Sequence, residues 1–238
     1  MIKRTAIVTG NAKRTGKAIS IALAKEGYDV IVHYNTSKKE AVSTEKELRS
    51  IGSDSFCIKA DISTAGGAKK LVEAAIRKKG RIDVLINNVG NFLVKTIDKV
   101  TPEEWEYLLR TTATTTFNMC HYALPYMVKQ NFGRIVNISD SGADLIKAWP
   151  RITPYMAGKT SVLILTKSLA EAYAKYDITV NAVSPGVLEN SIVKPEEKIP
   201  KGRDASYSDI TNAILFLIRK ESEYITGSNI KVSGGWNV

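Results

Sequence analysis

Residues 6–23, AIVTGNAKRTGKAISIAL, run from a short apolar strand through a turn to the start of a helix. Gly10 and Gly16 leave the backbone room to turn tightly between them. The same alternation continues down the chain. TAIVTG (5–10), YDVIVHY (28–34), SFCIKAD (55–61), IDVLINN (82–88), RIVNIS (134–139), TVNAVSPG (179–186) and NIKVSG (229–234) read as strands. Helices are expected at 17–26, 38–51, 64–79, 102–129, 155–176 and 208–218. In 64–79 the residues Leu71, Ala74, Ala75 and Lys78 trace one stripe, and Thr101-Pro102-Glu103-Glu104 has the make-up of a helix start. Near-continuous apolar strands between helices imply a parallel sheet covered on both faces. No internal repeat, low-complexity tract or linker interrupts the pattern. The expectation is α/β: one doubly wound domain over 1–238 with a sheet of about seven strands.

Composition narrows the function classes. Apolar residues make up 44% of 238 residues, enough for one sizeable core. The two cysteines, Cys57 and Cys120, lie in apolar runs and fit a reducing compartment. MIKRTAIVTG leads straight into a strand, so neither a signal peptide nor a membrane span is expected, and a cytoplasmic location follows. The net charge of +10 is spread as singles and pairs without interleaved aromatics, which argues against nucleic acid. His33 and His121 lack metal-ligand spacing, and no metal is expected.

Two segments carry chemistry. A glycine turn leading into a helix presents backbone N–H groups to phosphates, which nominates Gly10, Lys13, Arg14, Thr15 and Gly16. After the second strand no carboxylate appears before Glu40. Asn35, Thr36, Ser37 and Lys38 offer donors and charge for a 2′-phosphate, so NADPH is expected over NADH. The second segment is ISDSGADLIKAWPRITPYMAGK, 138–159. Tyr155 and Lys159 share a helix face, and the ammonium is expected to lower the phenol pKa toward proton-transfer use. Asp140 stands upstream, between Ser139 and Ser141, either of which is the alternative source of a hydroxyl. Trp149 and Trp236 are candidates for lining a pocket or for packing.

TGNAKRTG (9–16), ADIS (60–63), NNVG (87–90), YMAGK (155–159), NAVSPG (181–186) and YITGSNIKVSGGW (224–236) together resemble the short-chain dehydrogenase/reductase family over essentially the whole chain. The resemblance implies a Rossmann-type, NAD(P)-dependent oxidoreductase, assembled as a homotetramer through helices near 102–129 and 155–176. It implies that Asp61 contacts the adenine and Asn87 supports the cofactor site beside Gly90. Lys159 also holds the nicotinamide ribose, and the loop after Pro185-Gly186 covers the nicotinamide. Arg14 replaces the usual middle glycine, and the family's catalytic serine falls on Asp140. Both features are similar to pteridine reductases, in which the arginine reaches phosphates and pterin. There an aromatic ring, here Phe92, stacks on the substrate.

The leading expectation is therefore NADPH-dependent reduction of a C=N or C=O bond in a dihydropterin-like ring. The alternative is a 3-oxoacyl-[acyl-carrier-protein] reductase, whose acidic carrier would suit a basic chain. A further alternative is a weakly active NADP-binding sensor or partner subunit, because Thr112 also replaces the family's active-site asparagine. The segment Val187 to Pro200, a lid in the family, is short here.

Overall fold

The computed structural model describes residues 3–191, 194 and 198–237. Among them, β1 (Thr5–Val8), β2 (Asp29–Tyr34), β3 (Phe56–Lys59), β4 (Val84–Asn87), β5 (Gly133–Ile138), β6 (Ile178–Pro185) and β7 (Asn229–Val232) form one sheet. Every neighbouring pair is parallel, in the order β3-β2-β1-β4-β5-β6-β7. The helices are α1 (Arg14–Lys25), α2 (Lys38–Ser50), α3 (Ala65–Lys79), α4 (Pro102–Leu109), α5 (Thr115–Lys129), α6 (Thr153–Tyr173) and α7 (Tyr207–Ile218).

The apolar strands are explained by two cores. Ile7 of β1, Ile31 of β2 and Leu85 of β4 pack with Leu71 and Ala75 of α3 and Met119 and Ala123 of α5. Their strand neighbours Val8, Val32 and Ile86 pack on the other face with Ile19 and Leu23 of α1 and Ile210 and Ile214 of α7. A period of two thus puts an apolar residue on both faces at once. Strand order reverses between β1 and β4, and this switch point opens a crevice at the carboxyl ends of the strands.

Two expectations are corrected. The stripe on α3 is Ala68, Leu71, Val72 and Ala75; Lys78 is exposed, with its ammonium 4.2 Å above the Phe56 ring. The helix expected over 102–129 is interrupted by a π turn, Arg110–Thr114. In RTTATTTF the hydroxyls of Thr111, Thr115 and Thr116 donate to main-chain carbonyls one turn back, a competition that bends helices. Thr101 caps α4 as expected, in a reciprocal box with Glu104. Among the described residues no helix is long and apolar enough to cross a membrane, and no group of three or more His, Cys, Asp or Glu could hold a metal ion.

Candidate active site

The crevice is stitched together at its floor. The Thr9 hydroxyl accepts from the Asn88 and Val89 N–H groups, and the Asn88 amide donates back to the Thr9 carbonyl. His33, buried at the end of β2, accepts from the Gly10 N–H at Nδ1 and donates from Nε2 to the Ala60 carbonyl. Burial drives its pKa down to about 4, so the ring is neutral and this tautomer joins three strand ends. Asn11 is also buried, donating to Ser20 Oγ and the Ile31 carbonyl and accepting from the His33 N–H. None of these His33 and Asn11 links is visible in a linear motif.

Of the residues nominated for the cofactor, Gly10 sits at φ +64, and a Cβ on Gly16 would lie 2.7 Å from the Gly10 carbonyl oxygen. The α1 N-terminus has no side-chain cap and no acid in its first turn, with Lys13 at the cap position and Arg14 and Thr15 beginning the helix. Such an end is open to an anion. Asn35 and Thr36 are exposed after β2, and Ser37 starts α2 without a side-chain capping bond. Asp61 is exposed, with Oδ1 holding the Ser63 N–H and hydroxyl. Asn87 points the other way: its amide donates to Asn137 Oδ1 and Cys120 Sγ beneath the crevice. Gly90 and Gly186 lie at its rim, with a Gly90 Cβ 3.1 Å from Lys159 Nζ, and buried Pro185 ends β6. These residues suit a dinucleotide whose phosphates meet the α1 terminus.

On the far side of the crevice, α6 brings the second segment together. Tyr155 donates from its hydroxyl to Asp140 Oδ2 at 3.1 Å, while Asp140 Oδ1 accepts the Gly142 N–H at 2.9 Å. Lys159 is buried one turn on, donating to the Ile138 carbonyl at 2.7 Å, with its Nζ 5.8 Å from the centre of the tyrosine ring. Phe92 meets Tyr155 edge-on at 4.8 Å and is 49% exposed, which leaves it a free face. Neither serine takes the place of Asp140: Ser139 donates its hydroxyl to the Lys159 carbonyl, and the Ser141 hydroxyl is buried without a partner among the described residues.

The electrostatics differ from the expected pairing. Burial and the Asp140 carboxylate push the Tyr155 phenol well above its ordinary value, so the expected lowering by Lys159 is overturned in this state. Burial also raises the Asp140 carboxyl and lowers Lys159 to about 8. Burial disfavours charge on all three groups, and the tyrosine hydroxyl stays protonated as the donor to Asp140.

Trp149 packs against Gly142, with ring atoms 2.7 Å from where a Cβ would stand, and so braces the loop of Asp140. Main-chain bonds from Lys95 to Arg151 and from Ile97 to Pro150 tie this loop to the one bearing Phe92. Trp236 is half-buried in the turn after β7. Thr112 is wholly buried, its hydroxyl without a partner among the described residues, and it abuts Gly158 of α6. Of the expected lid, Ile192, Val193 and 195–197 lie outside the described residues.

Comparison with known proteins identifies this architecture. A family model described as enoyl-(acyl carrier protein) reductase matches residues 10–237. The chain belongs to the short-chain dehydrogenase/reductase family. Among its relatives is the 3-oxoacyl-[acyl-carrier-protein] reductase FabG of Staphylococcus aureus, 34% identical, covering 98% of this chain and 97% of that protein. FabG of Thermotoga maritima is 33% identical over the same shares of the two chains. Among solved structures, a single-site variant of actinorhodin polyketide ketoreductase with NADPH superposes with a TM-score of 0.90 at 29% identity, covering 99% of this chain and 97% of that one. Acetoin dehydrogenase from Salmonella typhimurium gives a TM-score of 0.90 at 29% identity, covering 98% and 96%. This short-chain dehydrogenase/reductase is accordingly an NAD(P)-dependent oxidoreductase.

Proposed function

We propose that the protein is an NADPH-dependent reductase of a 3-oxoacyl thioester, acting in the cytoplasm on an acyl group carried by a small acidic protein. The observation that carries a reductase reading is the Tyr155 hydroxyl held at the crevice by Asp140, with Lys159 one turn away. The thioester substrate is supported by relatives of 34% and 33% identity over nearly the whole chain, and the acidic carrier by the net charge of +10. NADPH is supported by the uncapped basic start of α1 and by Asn35, Thr36 and Ser37 where NAD sites place an acid. Bound there, the cofactor supplies a hydride. Gly10, Lys13, Arg14, Thr15 and Gly16 would hold its phosphates and Asp61 its adenine side, Asn87 supports the crevice from beneath, and Gly90, Pro185 and Gly186 frame it. Tyr155 delivers the proton to the substrate oxygen. Lys159 steadies the developing charge, and Asp140 restores the tyrosine proton.

A second reading is favoured by one observation: the partner of Tyr155 is a carboxyl raised by burial, suited to protonating a ring nitrogen. With the open face of Phe92 for a flat ring and Arg14 bridging phosphate and substrate, this points to a dihydropterin.

The two readings part in one experiment: oxidation of NADPH and of NADH with an acetoacetyl thioester and with 7,8-dihydrobiopterin, for wild type, Asp140→Ser and Tyr155→Phe. Thioester turnover that survives or improves with serine supports the carbonyl reductase; pterin turnover that collapses supports the second reading. Tyr155→Phe is expected to lose roughly 10³-fold in either case. Cofactor binding without turnover on any substrate would instead mark a sensor or partner subunit, and equal affinity for NADH would remove the NADPH preference.

A further inference from the structure

We infer that Lys231 is a positioning residue: it clamps the tail after β7 to the loop after β5, and so sets how the Asp140 carboxyl faces Tyr155. The inference rests on reading Tyr155 and Asp140 as the reacting pair. The main chain on either side of Asp140 is fixed by β6. The Ser139 N–H donates to the Val183 carbonyl at 2.9 Å and the Ser141 N–H to the Pro185 carbonyl at 3.0 Å. Gly142 is the first residue beyond these bonds, and its N–H holds Asp140 Oδ1 at 2.9 Å. The other carboxyl oxygen, Oδ2, takes the Tyr155 hydroxyl. Whatever fixes Gly142 therefore fixes the plane of the carboxyl. Gly142 is gripped from two sides, since a Cβ there would lie 2.7 Å from the Trp149 ring and 3.3 Å from Asn237 Nδ2. The first neighbour belongs to the same loop, the second to the tail after β7.

Lys231 holds both segments. Its ammonium pairs with Asp144, two residues on from Gly142, at 2.8 Å, and donates to the Asn237 carbonyl at 2.9 Å. An ammonium on a flexible stem carries three donors, enough for partners on different segments. Lys231 lies in register with Ser184 of β6, and β6 stands between β7 and β5, so the contact spans a strand. The tail needs such a hold. Asn237 has φ 55, in the left-handed region that residues with a Cβ rarely adopt. Upstream, the tail is tied by the Lys201 N–H to the Gly234 carbonyl at 2.9 Å. The side chains of Lys231 and Asp144 are 19% and 40% exposed, and a pair this open adds little to stability. What it supplies is direction.

Direction matters at Asp140 because burial works against its charge, while the Gly142 N–H, Lys159 and the Tyr155 hydroxyl work for it. Releasing Gly142 removes one of those supports, and the carboxyl then keeps its proton to higher pH. The titratable groups bearing on Asp140 are Tyr155 and Lys159 of α6. Asp144 and Lys231 stand at the far end of the loop and act through it.

Lys231→Met keeps the stem and removes both bonds, whereas Asp144→Asn removes the charge on the loop alone. The Asp140 carboxyl would be followed by infrared titration, its band being the one absent from Asp140→Asn, alongside steady-state turnover of an acetoacetyl thioester with NADPH. In Lys231→Met the titration midpoint is expected to rise by about half a pH unit. There kcat should fall roughly ten-fold while KM for NADPH stays unchanged. Asp144→Asn should move the midpoint the same way by less, and Lys231→Arg should restore it. An unmoved midpoint in Lys231→Met overturns the clamp, as does a Lys231→Arg protein that behaves like Lys231→Met. Should Lys231→Met not fold, an unmoved midpoint in Asp144→Asn overturns it instead. The infrared midpoint is read without substrate, so the clamp can fail with turnover intact. A wild type that turns over neither the thioester nor 7,8-dihydrobiopterin overturns the site reading.

Discussion

At Lys159 a single buried ammonium is expected to set the alkaline side of the chemistry. Burial disfavours its charged form and brings it to about 8, while the Asp140 carboxylate pulls the other way. The ammonium is therefore present below pH 8 and lost as pH rises through it. Turnover is expected to fall with a one-proton limb near pH 8 in a pH–rate profile. Removing the carboxylate in Asp140→Asn takes away the attraction that raises Lys159, so the limb should move to lower pH. A limb that stays in place in that variant would assign the ionisation to another group. Asp140 also shows how a residue type is reinterpreted by its surroundings: as a loop carboxylate it would be solvated, but here burial draws it toward its neutral form against the Gly142 N–H, the Lys159 charge and the Tyr155 hydroxyl, all of which favour the carboxylate.

At the scale of elements, the contact between the π turn and α6 sets the site. Gly158 is the residue before Lys159, and a Cβ there would stand 3.0 Å from Thr112 Cβ and 3.2 Å from Thr112 Cγ2. Alanine is the better helix former by about 1 kcal/mol. Overpacking costs roughly 1–3 kcal/mol, so the clash is expected to win. Gly158→Ala should lower the midpoint of urea unfolding and reduce turnover, because the strain falls on the turn of α6 that carries Lys159. A variant that is stabilised and fully active would show that Thr112 yields at no cost. The threonine run explains why this element pair was not foreseen: 102–129 has the apolar content of one long helix, and the π turn arises from hydroxyls competing for main-chain carbonyls.

For the whole molecule, the open question of assembly has a surface to test. Trp105 and Tyr107 on α4, Phe117 on α5 and Ile164 on α6 are large apolar side chains left between 36% and 62% exposed. These helices are the ones the family resemblance assigns to the subunit contacts, and a homotetramer joined through them is the expected state. Light scattering after size exclusion should give four chain masses for wild type, and a smaller species for Phe117→Glu and Ile164→Glu. A monomeric wild type would remove the assembly.

The sequence by itself determined the class of fold and the site's main chemical parts. Apolar strands at short intervals between helices leave only a parallel sheet covered on both faces, and TGNAKRTG, Tyr155 and Lys159 are local patterns whose geometry follows from the backbone of a turn and the pitch of a helix. Asp140 and its pairing with Tyr155 were legible as an expectation, but the bond itself depends on two loops braced by Trp149 and by the main-chain bonds from Lys95 to Arg151 and from Ile97 to Pro150. Only the tertiary structure decided that Tyr155 is raised and not lowered, because desolvation and the neighbouring Asp140 carboxylate are properties of the packed surroundings. It alone placed His33 between three strand ends, Thr112 against Gly158, and Arg14 on Asn190. Those contacts join residues far apart in the chain, and no spacing along a sequence encodes a distance that the sheet order creates.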